Sequence, residues 1–339
     1  MAKDQTVSLE ERMLYLRAKG VKIAYSPRGI PYNAAVPVFN RRMQLVIPTH
    51  KRPTRQITLK SLSPELQKEC LVLTSTVEDA KIIRKTYRDI LSPEQVYPIN
   101  RADVDSIAKK RQWIIENVGA TSVFQLDDDG YFFARCPVKY RHVVDGCWEI
   151  KPEYKNSGIK LLGTKNFVPD ELTQAFRDIQ DRLTTKDRTR RFSHVGLSSR
   201  MGNNQEDEEW KVIGRMMHAI GHRRDTLLQE NIRFDEVQLR EDFNVTLRLL
   251  QKGYPNTILY TFCISPAPYG REGGVSEERT VKRSNEQAKL LASMYPDFVK
   301  VVEKDYEFSH RRLEVKVAWQ KIYEAAVAKK TLNNRKSLF

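Results

Sequence analysis

Three consecutive aspartates, Asp127, Asp128 and Asp129, follow the apolar run Val123-Phe-Gln-Leu126 and precede Gly130. An apolar strand closed by acids delivers carboxylates to the carboxyl edge of a sheet, where open α/β folds place their ligands. In extended chain Asp127 and Asp129 share a side, and Asp127 and Asp128 are candidate donor contacts at that edge. Two convergent carboxylates with water sites to spare suit Mg²⁺ or Mn²⁺, hard ions that join one or two protein acids to substrate phosphates. A solvated aspartate turn is the plain alternative, and the preceding strand weighs against it.

A second acidic pair, Glu241-Asp242, opens the stretch that runs to Gly253. Phe243, Leu247 and Leu250 form one apolar stripe, which predicts a helix with both acids at its start. Acids there cap amides and complement the helix dipole, whereas a carboxylate fixed on a rigid helix is also a natural general base. Cations accompany both acidic groups. His50-Lys51-Arg52-Pro53 follows the first strand, and Lys109-Lys110-Arg111 lies on the helix before the aspartates. His50, Arg52 and Arg111 are candidates to touch a nucleotide, against a solvated turn and a wet helix face. Arg271, among Gly270, Gly273 and Gly274, is either a clamp over a diphosphate or part of a flexible connector.

Elements must hold these groups in place. Short apolar runs predict strands at 44–48, 69–74, 96–99 and 122–126, and helix-like sequence at 77–91 and 106–118 alternates with them. Strands alternating with helices mean an α/β fold with a mostly parallel sheet. Strand signal returns at 193–198, 216–222 and 257–264, with helices at 241–252 and 277–295, while 311–329 is ambiguous between strand and helix. At the start, Ser8 to Lys19 reads as a helix ending at Gly20 and packing on the main domain. Residues 140–191 read as a polar acceptor-side insertion. The domains expected are an extension over 1–43, a main unit over 44–300 and a C-terminal extension over 301–339.

The 339 residues can bury a full core. Lys and Arg number 58 against 43 Asp and Glu, a net charge of +15, which favours polyanionic partners. Within Thr184-Thr-Lys-Asp-Arg-Thr-Arg-Arg191, Arg188, Arg190 and Arg191 are the candidate nucleic-acid contacts, against a solvated loop. No apolar run approaches the ~20 residues of a bilayer span, and the charged start is unlike a secretory signal, so a cytoplasmic location is expected. Cys70, Cys136, Cys147 and Cys263 form no CxxC pair and read as buried thiols.

The ordered set of an Ile-Pro-Thr-His-Lys-Arg-Pro strand end, an Asp cluster after the fourth strand and Glu-Asp on a helix resembles a GT-A glycosyltransferase. More narrowly, Arg240-Glu-Asp-Phe-Asn-Val-Thr-Leu-Arg-Leu-Leu-Gln-Lys-Gly-Tyr254 and Gly273-Gly-Val-Ser-Glu-Glu-Arg279-Thr look like the phage-type TET-associated glycosyltransferases. The resemblance spans roughly residues 44 to 300. It implies a nucleotide-sugar fold, a metal-bridged diphosphate at Asp127 and Asp129, a UDP-sugar as default donor, and 5-hydroxymethylpyrimidine in DNA as acceptor. It also implies Asp242 as base with Glu241 in support, in a reaction that inverts the anomeric carbon. The run Asp-Asp-Asp leaves open which two acids meet the metal, and a late further ligand has only His310 as a weak candidate.

Three other readings share these residues. A glycosyltransferase acting on polysaccharide, protein or a small molecule would keep the same donor site. A metal-dependent nuclease also uses clustered acids, although the strand order and the Gly-rich late loop fit it less well. A DNA-binding module on a degenerate transferase fold would not need Asp127, Asp129 and Asp242 intact.

Overall fold

Three wholly buried strands, Met43–Pro48, Cys70–Thr74 and Ser122–Leu126, lie parallel and adjacent, with Met43–Pro48 in the middle and Val96–Pro98 parallel at the outer edge. Their near-continuous apolar character follows from helices covering both faces. The computed structural model describes residues 9–135, 141–145, 147–154, 156, 159–160, 164–165, 167–200, 208–267, 280–306 and 309–336. Beyond Ser122–Leu126 the sheet continues through Ala219–Arg223, His194–Ser199, Asn256–Pro266 and Gly130–Arg135 to two short strands, Thr164–Lys165 and Ile159–Lys160. Ala219–Arg223 and Gly130–Arg135 run against their neighbours, while His194–Ser199 and Asn256–Pro266 keep the direction of the first strands. The fold is therefore the expected α/β type with a mostly parallel centre.

Alternate side chains divide the core between the two faces. Met43, Leu45, Ile47, Cys70, Val72, Phe124 and Leu126 meet helices Ile57–Ser61, Pro64–Lys68, Val77–Thr86 and Pro169–Thr184. Val46, Leu71, Leu73 and Val123 meet Ile107–Asn117, Arg224–Gln229 and Glu241–Gln251. The last of these helices has two apolar sides. Val245 and Leu249 face the sheet, while Phe243, Leu247 and Leu250 pack on Leu291, Tyr295, Val299 and Ile322 from later in the chain. Cys70 and Cys263 are buried free thiols, as expected, and no helix among the described residues is long and apolar enough to cross a membrane.

Several expectations are corrected here. Residues 169–184 are not part of a polar insertion; Leu172, Phe176, Ile179 and Leu183 form one buried stripe at helical spacing in the main core, which the intervening charges hide in the sequence. The ambiguous segment resolves into strand Ser309–Val317, paired with Val299–Tyr306, followed by helix Trp319–Lys336. Helix Leu9–Ala18 forms as expected; its Leu14 and Tyr15 are largely exposed, and Tyr15 interacts with Arg101. A strand without a sequence signal, Gly130–Arg135, leaves the aspartates directly. Gly130 is required there, because a Cβ would come within 2.7 Å of Ile264 Cγ1.

Candidate active site

Asp127–Asp129 form a turn at the carboxyl edge, between strands that are not paired with each other. The main chain of the turn is fixed from four directions. Asp127 N–H donates to His218 O at 2.8 Å, the Asp128 carbonyl accepts from Ile57 N and Thr58 N at 3.0 and 3.2 Å, and the Asp129 carbonyl accepts from Ala267 N at 2.8 Å. The Thr58 hydroxyl donates to Asp127 O and accepts from Gly130 N.

A turn sends its three carboxylates to different partners. Asp127 Oδ1 accepts from Arg111 Nη2 at 2.7 Å, and its Oδ2 lies 2.8 Å from His218 Nδ1. Asp128 turns inward and accepts from Thr49 Oγ1 at 2.8 Å and Arg52 Nη1 at 3.2 Å. Asp129 accepts from the same Arg52 nitrogen at 2.8 Å. Burial pushes the Asp128 carboxyl up to about 6, against the pull of Thr49 and Arg52, and the neighbouring Asp129 and Asp127 push the same way. Asp128 is thus a support beneath the edge, whereas Asp127 and Asp129 are about a quarter exposed, at 27% and 22%.

Arg111 joins the two acidic groups. Its buried guanidinium reaches Asp127 on one side and Glu241 Oε1 at 3.4 Å on the other. Burial works against its charge, but Glu241, Asp127 and Asp242 outweigh it and raise its pKa. Glu241 is buried in the first turn of helix Glu241–Gln251. Asp242 is partly exposed, and its Oδ1 accepts from the next amide, Phe243 N, at 2.9 Å. The helix start is held by Arg240, in left-handed backbone with φ 69°, whose guanidinium donates to the carbonyls of Ser284 and Leu313.

The helix cations divide, rather than forming a wet face. Lys109 is outward and pairs with Asp105, while Lys110 is fully buried and donates to Thr49 O at 2.8 Å, Ser75 Oγ at 2.5 Å and His50 Nδ1 at 3.1 Å. His50 Nδ1 also lies 3.1 Å from Ser75 Oγ, so Lys110, Ser75 and His50 form one partly buried polar cluster. His50 is thereby held at the ends of strands Met43–Pro48 and Cys70–Thr74.

The donor set suits a hard cation. Asp127, Asp128, Asp129, Glu241 and Asp242 offer only oxygen around two guanidiniums, Arg52 and Arg111, and each carboxylate has lone pairs beyond the bonds described. Among the described residues no three His, Cys, Asp or Glu side chains form a ready cage. Mg²⁺ or Mn²⁺ needs only one or two protein carboxylates and completes its shell with water and phosphate.

The carboxyl edge brings together His50, Arg52, Arg111, Asp127, Asp128, Asp129, Glu241 and Asp242. Arg188, Arg190 and Arg191 are not among them. They lie between helix Pro169–Thr184 and strand His194–Ser199, and so at the amino edge, on the far side of the sheet from the aspartates. Arg271 and its glycines lie outside the described residues, as do the side chain of His310 and Cys136. His218 and Thr58 carry no sequence signal, because their contacts arise from chain segments 91 and 69 residues away from the aspartate they touch.

Residues 43–267 match the family described as TET-Associated Glycosyltransferase. No curated protein matches the chain. A mannosyltransferase from Pyrobaculum calidifontis, solved in complex with GDP-Man and Mn²⁺, is similar over 84% of this chain and 72% of its own, at 12% identity and a TM-score of 0.46.

Proposed function

The chain belongs to the TET-associated glycosyltransferase family, and from that premise we propose that it moves a sugar from a nucleotide-sugar donor to the hydroxyl of a 5-hydroxymethylpyrimidine in DNA. The observation that carries the reading is the Arg111 bridge, which ties Asp127 on the donor side to the helix bearing Glu241 and Asp242. Donor and acceptor machinery are thereby held in one unit. The net charge of +15 suits a polyanionic acceptor met in the cytoplasm.

Asp127 and Asp129 would hold a divalent ion, which supplies positive charge to the departing nucleoside diphosphate. Arg52 and Arg111 keep the two carboxylates from rotating away, and Asp128 anchors the turn from below. His50, held by Lys110 and Ser75 at the carboxyl edge, contacts the nucleotide; a UDP-sugar is the default. Asp242 removes the proton from the acceptor hydroxyl as it attacks, which gives direct displacement and inversion at the anomeric carbon. Glu241 offsets the buried charge of Arg111.

Mass spectrometry of nucleosides from hydroxymethylated DNA, incubated with the protein, Mn²⁺ and a panel of sugar nucleotides, tests the reading. A hydroxymethylpyrimidine nucleoside heavier by one sugar residue is the expected product. Unmodified nucleosides with every donor, alongside transfer to an oligosaccharide or peptide, would move the acceptor to the other class.

A further inference from the structure

At the amino edge the sheet carries a concentrated guanidinium surface. Arg41 and Arg42 enter strand Met43–Pro48, their carbonyls accepting from Thr121 N and Ser122 N at 2.9 and 3.0 Å. Arg223 ends its antiparallel strand at the same edge, where its amide donates to Ser193 O at 2.9 Å. The turn 185–190 is ordered by Asp187, which accepts from Thr189 N and Oγ1 at 2.9 and 2.7 Å, leaving Arg188 and Arg190 exposed.

Few acids offset this charge. Arg42 and Arg190 share Asp181, at 3.9 and 3.6 Å, and Arg28 and Arg223 share Asp225. Arg191 adds another cation, its pKa lowered by burial and by the neighbouring charges of Arg223 and Arg28. Four guanidiniums thus divide two carboxylates, while Lys186, Arg188 and Arg41 have no ion-pair partner among the described residues. Such crowding is costly to the folded chain unless an external anion relieves it.

We propose that this amino-edge surface docks the phosphate backbone of duplex DNA, as an anchor separate from the aspartate site. The chemistry is that of backbone recognition. Arginine presents a planar fork that matches phosphate bidentately, and Arg41, Arg42, Arg188 and Arg190 are exposed here. Phosphate contacts give affinity and orientation without reading sequence. A strand of five residues separates the two edges by about 17 Å, so DNA gripped here is held apart from the base undergoing chemistry. The anchor concerns unmodified duplex and goes beyond the acceptor reading above.

The test compares R41Q/R42Q/R188Q/R190Q with a control of equal charge loss on other surfaces, K81Q/K85Q/R88Q/K289Q. Fluorescence anisotropy with a labelled unmodified duplex of about 30 base pairs, in salt from about 50 to about 200 mM, reads affinity and its salt slope. The amino-edge variant should bind roughly tenfold or more weaker at low salt, with a log–log slope shallower by about 3, and the control should stay close to wild type. Because Arg42 also bonds Thr184, the R188Q/R190Q pair is measured too and should show about half of the slope change. Equal losses in the control, an unchanged slope, or binding to anionic vesicles in place of duplex would each overturn the proposal. Since the duplex carries no hydroxymethyl group, absence of glycosylation elsewhere leaves these outcomes readable.

Discussion

His218 grips Asp127 twice: its ring Nδ1 lies 2.8 Å from Asp127 Oδ2, and its main-chain carbonyl accepts the Asp127 amide at 2.8 Å. The residue holds left-handed backbone, φ 65°, to do both. For a side chain with a Cβ that conformation costs on the order of 1–2 kcal/mol, and it persists because the flanking strand pairing over-determines it. Asp127 is therefore oriented by a histidine on one side and by Arg111 on the other.

His218→Asn separates the two contacts, because asparagine tolerates left-handed backbone but does not reach the carboxylate as the imidazole does. Melting temperature should change little, while turnover and apparent Mn²⁺ affinity fall by about 10- to 100-fold, the usual effect of removing a partner that orients a metal ligand. Wild-type values for both would remove His218 from the site.

Asp129→Asn keeps the shape of the turn and removes charge at the exposed side. Arg52 retains Asp128 as a partner, so the fold should survive. Turnover should drop by a factor of ~10² or more and chelator should abolish wild-type activity, with Mn²⁺ restoring it. Full activity of the variant, or of wild type in excess chelator, would contradict a metal-bridged diphosphate.

What the sequence reveals depends on whether partners are local. Strands such as Cys70–Thr74 and Ser122–Leu126 are legible because each is a short apolar run between turn signals. The Asp127 edge is legible for the same reason. Helix Pro169–Thr184 is obscured because mostly polar and charged residues stand between Leu172, Phe176, Ile179 and Leu183. His218 is invisible because antiparallel pairing of Ala219 with Leu126 brings it to Asp127, and strand order is not encoded in any one window. The same sheet polarity separates Arg188 and Arg190 from the aspartates, a distance that composition does not convey.

Asp242 and Glu241 are adjacent but differ in surroundings, Glu241 being buried against Arg111 and Asp242 partly exposed. Asp242→Asn should lower turnover by about 10²- to 10⁴-fold with little change in donor binding, as for loss of a general base. Glu241→Gln leaves Arg111 buried with less countercharge, so its first effect should be a lower unfolding midpoint in urea. A reversed pattern, with Asp242→Asn unfolding early and Glu241→Gln stable but inactive, would exchange the two roles. NMR of the product should find the anomeric configuration inverted; retention would rule out direct displacement assisted by Asp242.

Acid sensitivity should come from the sheet interior rather than from the active site. His194 and His222 face each other across adjacent strands with ring centroids 6.1 Å apart, both fully buried, and His222 packs edge-on to Phe234. Burial holds the His194 pKa down at about 4, against the pull of the Tyr254 carbonyl, and burial together with His194 and Arg111 holds His222 well below 6.5. The unfolded chain therefore binds these protons first. Stability is fully present above the unfolded value of 6.5 and is lost as pH falls from there toward 4. For His194 alone the loss between about pH 7 and about pH 5 is roughly 2 kcal/mol. Urea unfolding at those two pH values should show the wild-type midpoint falling steeply. His222→Leu removes one of the two proton sites, so its midpoint should fall by a visibly smaller amount over the same interval, whatever its stability at neutral pH. A variant as acid-sensitive as wild type would place the proton uptake elsewhere in the chain.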